Sequence, residues 1–73
     1  MTSNIYSEDY KKVIEKLKQA RTDAGLTQEQ VAEKLGKPQS YVSKSEAGER
    51  RLDITELKAF AGLYSKDIKY FVD

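Results

Sequence analysis

From Tyr10 the apolar residues Val13, Ile14, Leu17, Ala20 and Ala24 recur three and four places apart, the spacing that lays one stripe along a helix. Ser7 suits the N-cap in front of it, and Glu8 and Asp9 complement the positive end of its dipole. Gly25 stops the stripe, with Leu26 placed to fold back on the last turn. Thr27 then opens a second helix: Gln30, three residues on, can close a capping box, Val31, Ala32 and Leu35 face inward, and Gly36 ends it. Only Lys37 and Pro38 precede a third helix, Pro38 to Ala47, in whose first turn the missing N–H of Pro38 costs nothing. Gly48 terminates it, and a charged linker, Glu49 to Leu52, leads to Asp53 and Glu56, a second capping box.

The fourth helix carries Ile54, Leu57, Phe60, Ala61 and Tyr64 at apolar positions, with Gly62 inside it. A glycine there costs about 1 kcal/mol relative to alanine, so close packing against a neighbour is expected at that point. Asp67 caps a last turn bearing Ile68, Tyr70, Phe71 and Val72. No strand pattern or repeat interrupts this order. The fold class predicted is all-α, five helices with a loose arm over residues 1–7, a domain over 8–73 and a two-helix motif at about 27–47.

The third helix breaks the rule that the others follow. At 100° per residue Tyr41 and Val42 point inward with Ser45 between them, while Gln39, Ser40, Ser43, Lys44 and Ala47 fill an opposite arc of about 140°. Val42 is its only aliphatic residue larger than alanine, and three serines give it mediocre intrinsic propensity. Little burial holds such a helix, so its polar face has another use. Small and amide-bearing side chains with one lysine can donate to and accept from base edges in a major groove about as wide as a helix.

Composition narrows the alternatives. At 73 residues the chain has one core. It contains no cysteine and no histidine, which removes disulfides, thiolate zinc sites and the commonest general base; no cofactor or enzymatic activity is expected of so small a body. No apolar run approaches the roughly 20 residues of a membrane span, and the start MTSNIYSEDY lacks a signal-peptide core, so a soluble cytoplasmic protein is expected. Thirteen Lys and Arg against 12 Asp and Glu leave a net charge of +1, which by itself argues for no polyanionic partner. Distribution is more informative: Lys34, Lys37, Lys44, Arg50 and Arg51 outnumber Glu46 and Glu49 around the third helix. A run of this kind also suits a plain solvated face.

The stretch GLTQEQVAEKLGKPQSYVSKSEAGERRL, Gly25 to Leu52, resembles the helix-turn-helix of the Cro and phage-repressor family, also called the XRE family. The likeness runs from about Lys16 to Phe71. It is carried by Gly25-Leu26-Thr27-Gln28, by Ala32 before Leu35-Gly36, and by Ser43-Lys44 followed by Glu46 and Gly48. The resemblance implies a five-helix, lambda-repressor-like domain that binds double-stranded DNA and regulates transcription. It implies base contacts from Gln39, Ser40, Ser43 and Lys44, and phosphate contacts from Gln28, Lys37, Tyr41, Arg50 and Arg51, with the Tyr41 ring wedged on the core. An ion pair between Arg21 and Glu46 would fix the angle of the third helix. Two positions depart from the family pattern: Ser45 replaces a large apolar or aromatic residue, and Ser65 a frequent glycine.

A single domain reads few base pairs, so a homodimer on a palindromic site is expected, with Ile68, Tyr70, Phe71 and Val72 as candidate two-fold contacts. A protein-interaction module, such as an antitoxin that covers a partner protein, is the competing reading. It requires an exposed apolar patch and tolerance of change at Gln39 and Lys44.

Overall fold

The computed structural model describes residues 8–72; the arm over residues 1–7, with the Ser7 cap, and Asp73 lie outside the described residues. Five helices follow in order, α1 (Glu8–Asp23), α2 (Gln28–Leu35), α3 (Gln39–Ala47), α4 (Ile54–Leu63) and α5 (Ile68–Val72), and no strand is present among the described residues. Helix α1 lies against α3 and α5, α2 against α3, and α4 against α5. The core that results is built from Leu17 and Ala20 of α1, Val31 and Ala32 of α2, Val42 of α3, Leu57, Phe60 and Ala61 of α4, Tyr64 and Phe71. Phe60 is fully enclosed, with the Tyr41 ring stacked on one side at 6.0 Å and the Tyr64 ring tilted at 6.1 Å. Burying a phenylalanine this completely contributes about 1.5 to 3 kcal/mol relative to leaving it in water.

Caps set the boundaries. Thr27 Oγ1 accepts the Gln30 N–H at 3.1 Å while Gln30 Oε1 accepts the Thr27 N–H at 2.9 Å, and Asp53 and Glu56 form the same reciprocal pair at α4. Asp67 Oδ1 likewise accepts the Lys69 N–H, opening α5. Pro38 stands at the N-cap of α3 with ψ at 155°, one place before the first-turn position its missing N–H suggests. At the far ends the 6→1 bonds of Schellman stops recur: Leu26 to Arg21, Lys37 to Ala32, Glu49 to Lys44 and Lys66 to Ala61. Gly48 is the most constrained of these stops. Its φ is 79°, a conformation that strains any side-chain-bearing residue, and a Cβ there would lie 2.9 Å from Ile14 Cδ1, so the end of that side chain would have to shift. Ser65 takes the corresponding place after α4 at φ 58°, a conformation that costs a non-glycine residue roughly 1 to 2 kcal/mol.

Three expectations fail. Ala24 lies past the end of α1 and is exposed, because the Schellman stop turns the chain away from the stripe. Ile54, the first residue of α4, is 61% exposed among the described residues and lines an open cleft with Val13, Leu57 and Val72 instead of entering the core. Gly62 has no close neighbour among the described residues: a Cβ built there meets none of their atoms within 4 Å. Gly62→Ala is therefore expected to stabilise the fold by about 1 kcal/mol through helix propensity alone, read as a higher urea midpoint. A loss of stability would mean that something does pack on this residue.

Candidate nucleic-acid interface

The two sides of α3 differ sharply. Val42, Ser45 and Glu46 are buried, Tyr41 is half-buried, and Gln39, Ser40, Lys44 and Ala47 are exposed; Ser43 is intermediate, its hydroxyl 3.4 Å from the Ser40 carbonyl oxygen. The buried side is only partly apolar. Ser45, where a larger residue was expected to fill space, is fully enclosed and donates to the Tyr41 carbonyl oxygen at 2.7 Å, so its hydroxyl is satisfied within the helix.

What fixes α3 against the other helices is a hydrogen-bonded charge network. Glu46 is 3% exposed. Its Oε2 accepts Arg21 Nε at 2.7 Å, and its Oε1 accepts both Arg21 Nη2 at 3.2 Å and Gln28 Nε2 at 3.0 Å. Arg21 Nη1 donates in turn to the Leu26 carbonyl oxygen at 2.9 Å, so one guanidinium joins the end of α1, the turn before α2 and the inner face of α3. The hydrogen bond to Glu46 raises the Arg21 pKa against the opposing effect of burial. Beside them the Tyr64 hydroxyl is buried without a hydrogen-bond partner among the described residues, and its pKa is raised chiefly by that burial and further by the negative charge of Glu46.

Two cations lie against Tyr41 at the side of α3. Lys37, in the turn between α2 and α3, holds its Nζ 5.2 Å from the centre of the Tyr41 ring, and the Arg50 guanidinium carbon lies 4.2 Å from the same ring. Arg50 Nη2 also donates to Glu56 Oε2. That hydrogen bond, with a second from the Asp53 N–H, holds the Glu56 carboxyl at a pKa of about 2. Glu46 is paired with Arg21 and Arg50 with Glu56, which leaves Lys37, in the turn before α3, and Lys44, on α3, as cations in no ion pair among the described residues.

The structure brings Gln39, Ser40, Ser43 and Lys44 together on one face, with Gln28, Lys37, Tyr41 and Arg50 about its edges. It separates the two arginines. Arg51 lies 5.1 Å from the Tyr10 ring on α1, away from Tyr41, where the linker is tied down by the Leu52 N–H donating to Tyr10 Oη at 3.0 Å. Phe71 also falls out of the predicted set: at 1% exposure it is spent on the core and has no surface for a second chain, whereas Val72 is 59% exposed. Two partners went unread in the sequence. The Gln28 amide bonds Glu46, and Glu56, legible as a cap, uses its second oxygen on Arg50.

Two short helices joined by a glycine-containing turn, the second turning a small, polar face outward among cations, define a helix-turn-helix DNA-binding domain. A family model described as helix-turn-helix matches residues 17–71, and the chain belongs to that family, the XRE family of Cro- and repressor-like domains. No curated protein and no solved structure matches the chain. The protein is accordingly a DNA-binding transcription regulator of a family that is regulatory and not typically enzymatic. Among the described residues no helix is long and apolar enough to cross a membrane.

Proposed function

We propose that α3 enters the major groove of a palindromic operator and reads base edges with Gln39, Ser40, Ser43 and Lys44, while the protein acts as a homodimer in the cytoplasm. The observation that carries this reading is the orientation of α3. Its exposed face is polar apart from Ala47, and a partly buried Arg21–Glu46–Gln28 network sets the angle at which that face is presented. Gln28 spends one amide N–H on Glu46 and keeps the other for a phosphate at the start of α2, where the first backbone N–H groups of a helix attract anions. Lys37 and Tyr41 flank the groove-facing side as backbone contacts, with Arg50 beside Tyr41 as a phosphate contact held back by its own pairing with Glu56; Arg51, over Tyr10, is the outlying member of that set. For the dimer, Val72 supplies exposed apolar surface, joined by Ile54, which lines the same shallow cleft.

That cleft is also the one observation that favours an antitoxin-like protein contact. The two readings part on selection of bound sequences from random duplex DNA. Operator reading yields a two-fold consensus with half-sites about one helical turn apart; a library that returns no enriched motif removes it. Ultracentrifugation that finds a monomer at high concentration and again on the selected DNA removes the dimer alone.

A further inference from the structure

The two oxygens of Glu56 have separate tasks. Oε1 accepts the Asp53 N–H at 3.0 Å and completes the cap of α4, whereas Oε2 takes Arg50 Nη2. The same guanidinium lies over the Tyr41 ring, which in turn stacks on the enclosed Phe60 with ring planes 9° apart. Arg50 is therefore held at both its face and its edge, beside the helix that presents the reading surface. Its charge is met by a carboxylate of its own chain, and that carboxylate stays ionised at any pH where the fold operates, its pKa being about 2.

We propose that Glu56 acts as a built-in competitor of the DNA phosphates for Arg50, lowering the affinity of the protein for every duplex alike while leaving base reading by α3 unchanged. This rests on the reading of α3 as a DNA-reading helix. The physical argument is one of exchange. A free cation that reaches a phosphate releases a condensed counterion and contributes about 0.9 to the salt slope. Arg50 cannot do so without giving up Glu56, and a Glu56 left unpaired beside a polyanion is itself repelled. A carboxylate already paired with the guanidinium through Oε2 thus makes Arg50 a nearly silent charge in binding. The device keeps weak the sequence-independent attachment that would otherwise compete with the operator, at the expense of operator affinity by the same factor.

Glu56→Gln separates the two tasks, because a glutamine at this position of a capping box still accepts the Asp53 N–H but no longer holds Arg50 as a carboxylate does. Binding to a random duplex and to the selected operator is measured by fluorescence anisotropy from low to moderate salt, with circular dichroism melts to establish that each variant is folded. Relative to wild type, Glu56→Gln is expected to bind both duplexes about five-fold more tightly near 0.15 M salt and to steepen the salt slope by about 0.9. In an Arg50→Gln background the same substitution should leave the slope unchanged, which distinguishes release of Arg50 from mere loss of a negative charge. An unchanged slope for Glu56→Gln alone, or an equal steepening in both backgrounds, overturns the proposal. A wild-type protein that binds neither duplex overturns the reading of α3 and this proposal with it, whereas wild-type binding with an unaltered variant slope overturns this proposal alone.

Discussion

Glu46→Leu is expected to cost about 3 kcal/mol of folding stability. Glu46 accepts three hydrogen bonds in a nearly solvent-free position, two from Arg21 and one from Gln28. The substitution removes the acceptor and leaves a guanidinium whose side chain is itself largely buried, with only the Leu26 carbonyl as partner. Most of the loss is the cost of that orphaned charge; the net worth of the pair is much smaller, since desolvation offsets its attraction. For a domain of this size, whose total stability is roughly 4 to 11 kcal/mol, such a change lowers the melting temperature by about 12 to 24 °C. Arg21→Met added to Glu46→Leu should restore most of the stability, because an apolar pair of similar volume has no charge to desolvate. The double variant should nonetheless bind the operator more weakly than wild type, since the forked geometry that sets the angle of α3 is gone. A single substitution costing less than about 1 kcal/mol by urea titration would show that the network does not constrain the fold, and a restored double variant with wild-type operator affinity would show that it does not orient the helix.

How much of this was legible in the sequence depends on the range over which each feature is determined. Helix ends are local: Gly25, Gly36 and Gly48 stop helices, and Thr27-Gln30 and Asp53-Glu56 start them, through bonds that span at most five residues. Those boundaries can be read from neighbours alone. The two-faced character of α3 is equally local, because Gln39, Ser40 and Lys44 against Val42 and Glu46 is a statement about helical period. What period cannot say is what lies opposite. It puts Ile54 on the apolar face of α4, yet among the described residues Ile54 stays 61% exposed, and it gives no sign that the space beside Gly62 is open among them. Ser45 shows the converse: its inward position was readable, but its comfort there comes from the Tyr41 carbonyl, which a rule about residue size does not anticipate. Arg50 and Arg51 are adjacent and chemically alike. They part because the linker, held by Tyr10, sends one toward Tyr41 and Glu56 and the other toward α1, a consequence of tertiary path.

Lys44→Ala is expected to weaken binding to the operator by about 1 to 3 kcal/mol, roughly 5- to 150-fold, and to relax discrimination at one base position in each half-site. Lys44 is exposed, takes part in no ion pair among the described residues, and projects from the outer face of α3 near its C-terminal end. Removing it should therefore change folding stability by no more than about 0.5 kcal/mol, so a loss of binding cannot be an indirect loss of structure. Lys37→Ala provides the contrast. That lysine sits in the turn over the Tyr41 ring and not on the reading face of α3; as the proposed backbone contact, its removal should weaken all duplexes by the same factor and flatten the salt slope by about one. The comparison is sharper with Lys37 than with Arg50, whose charge Glu56 already occupies. If Lys44→Ala lowered affinity equally for operator and random DNA, with no base position relaxed, its ammonium group would be a backbone contact like that of Lys37, and sequence discrimination would have to come from Gln39 and the serines alone.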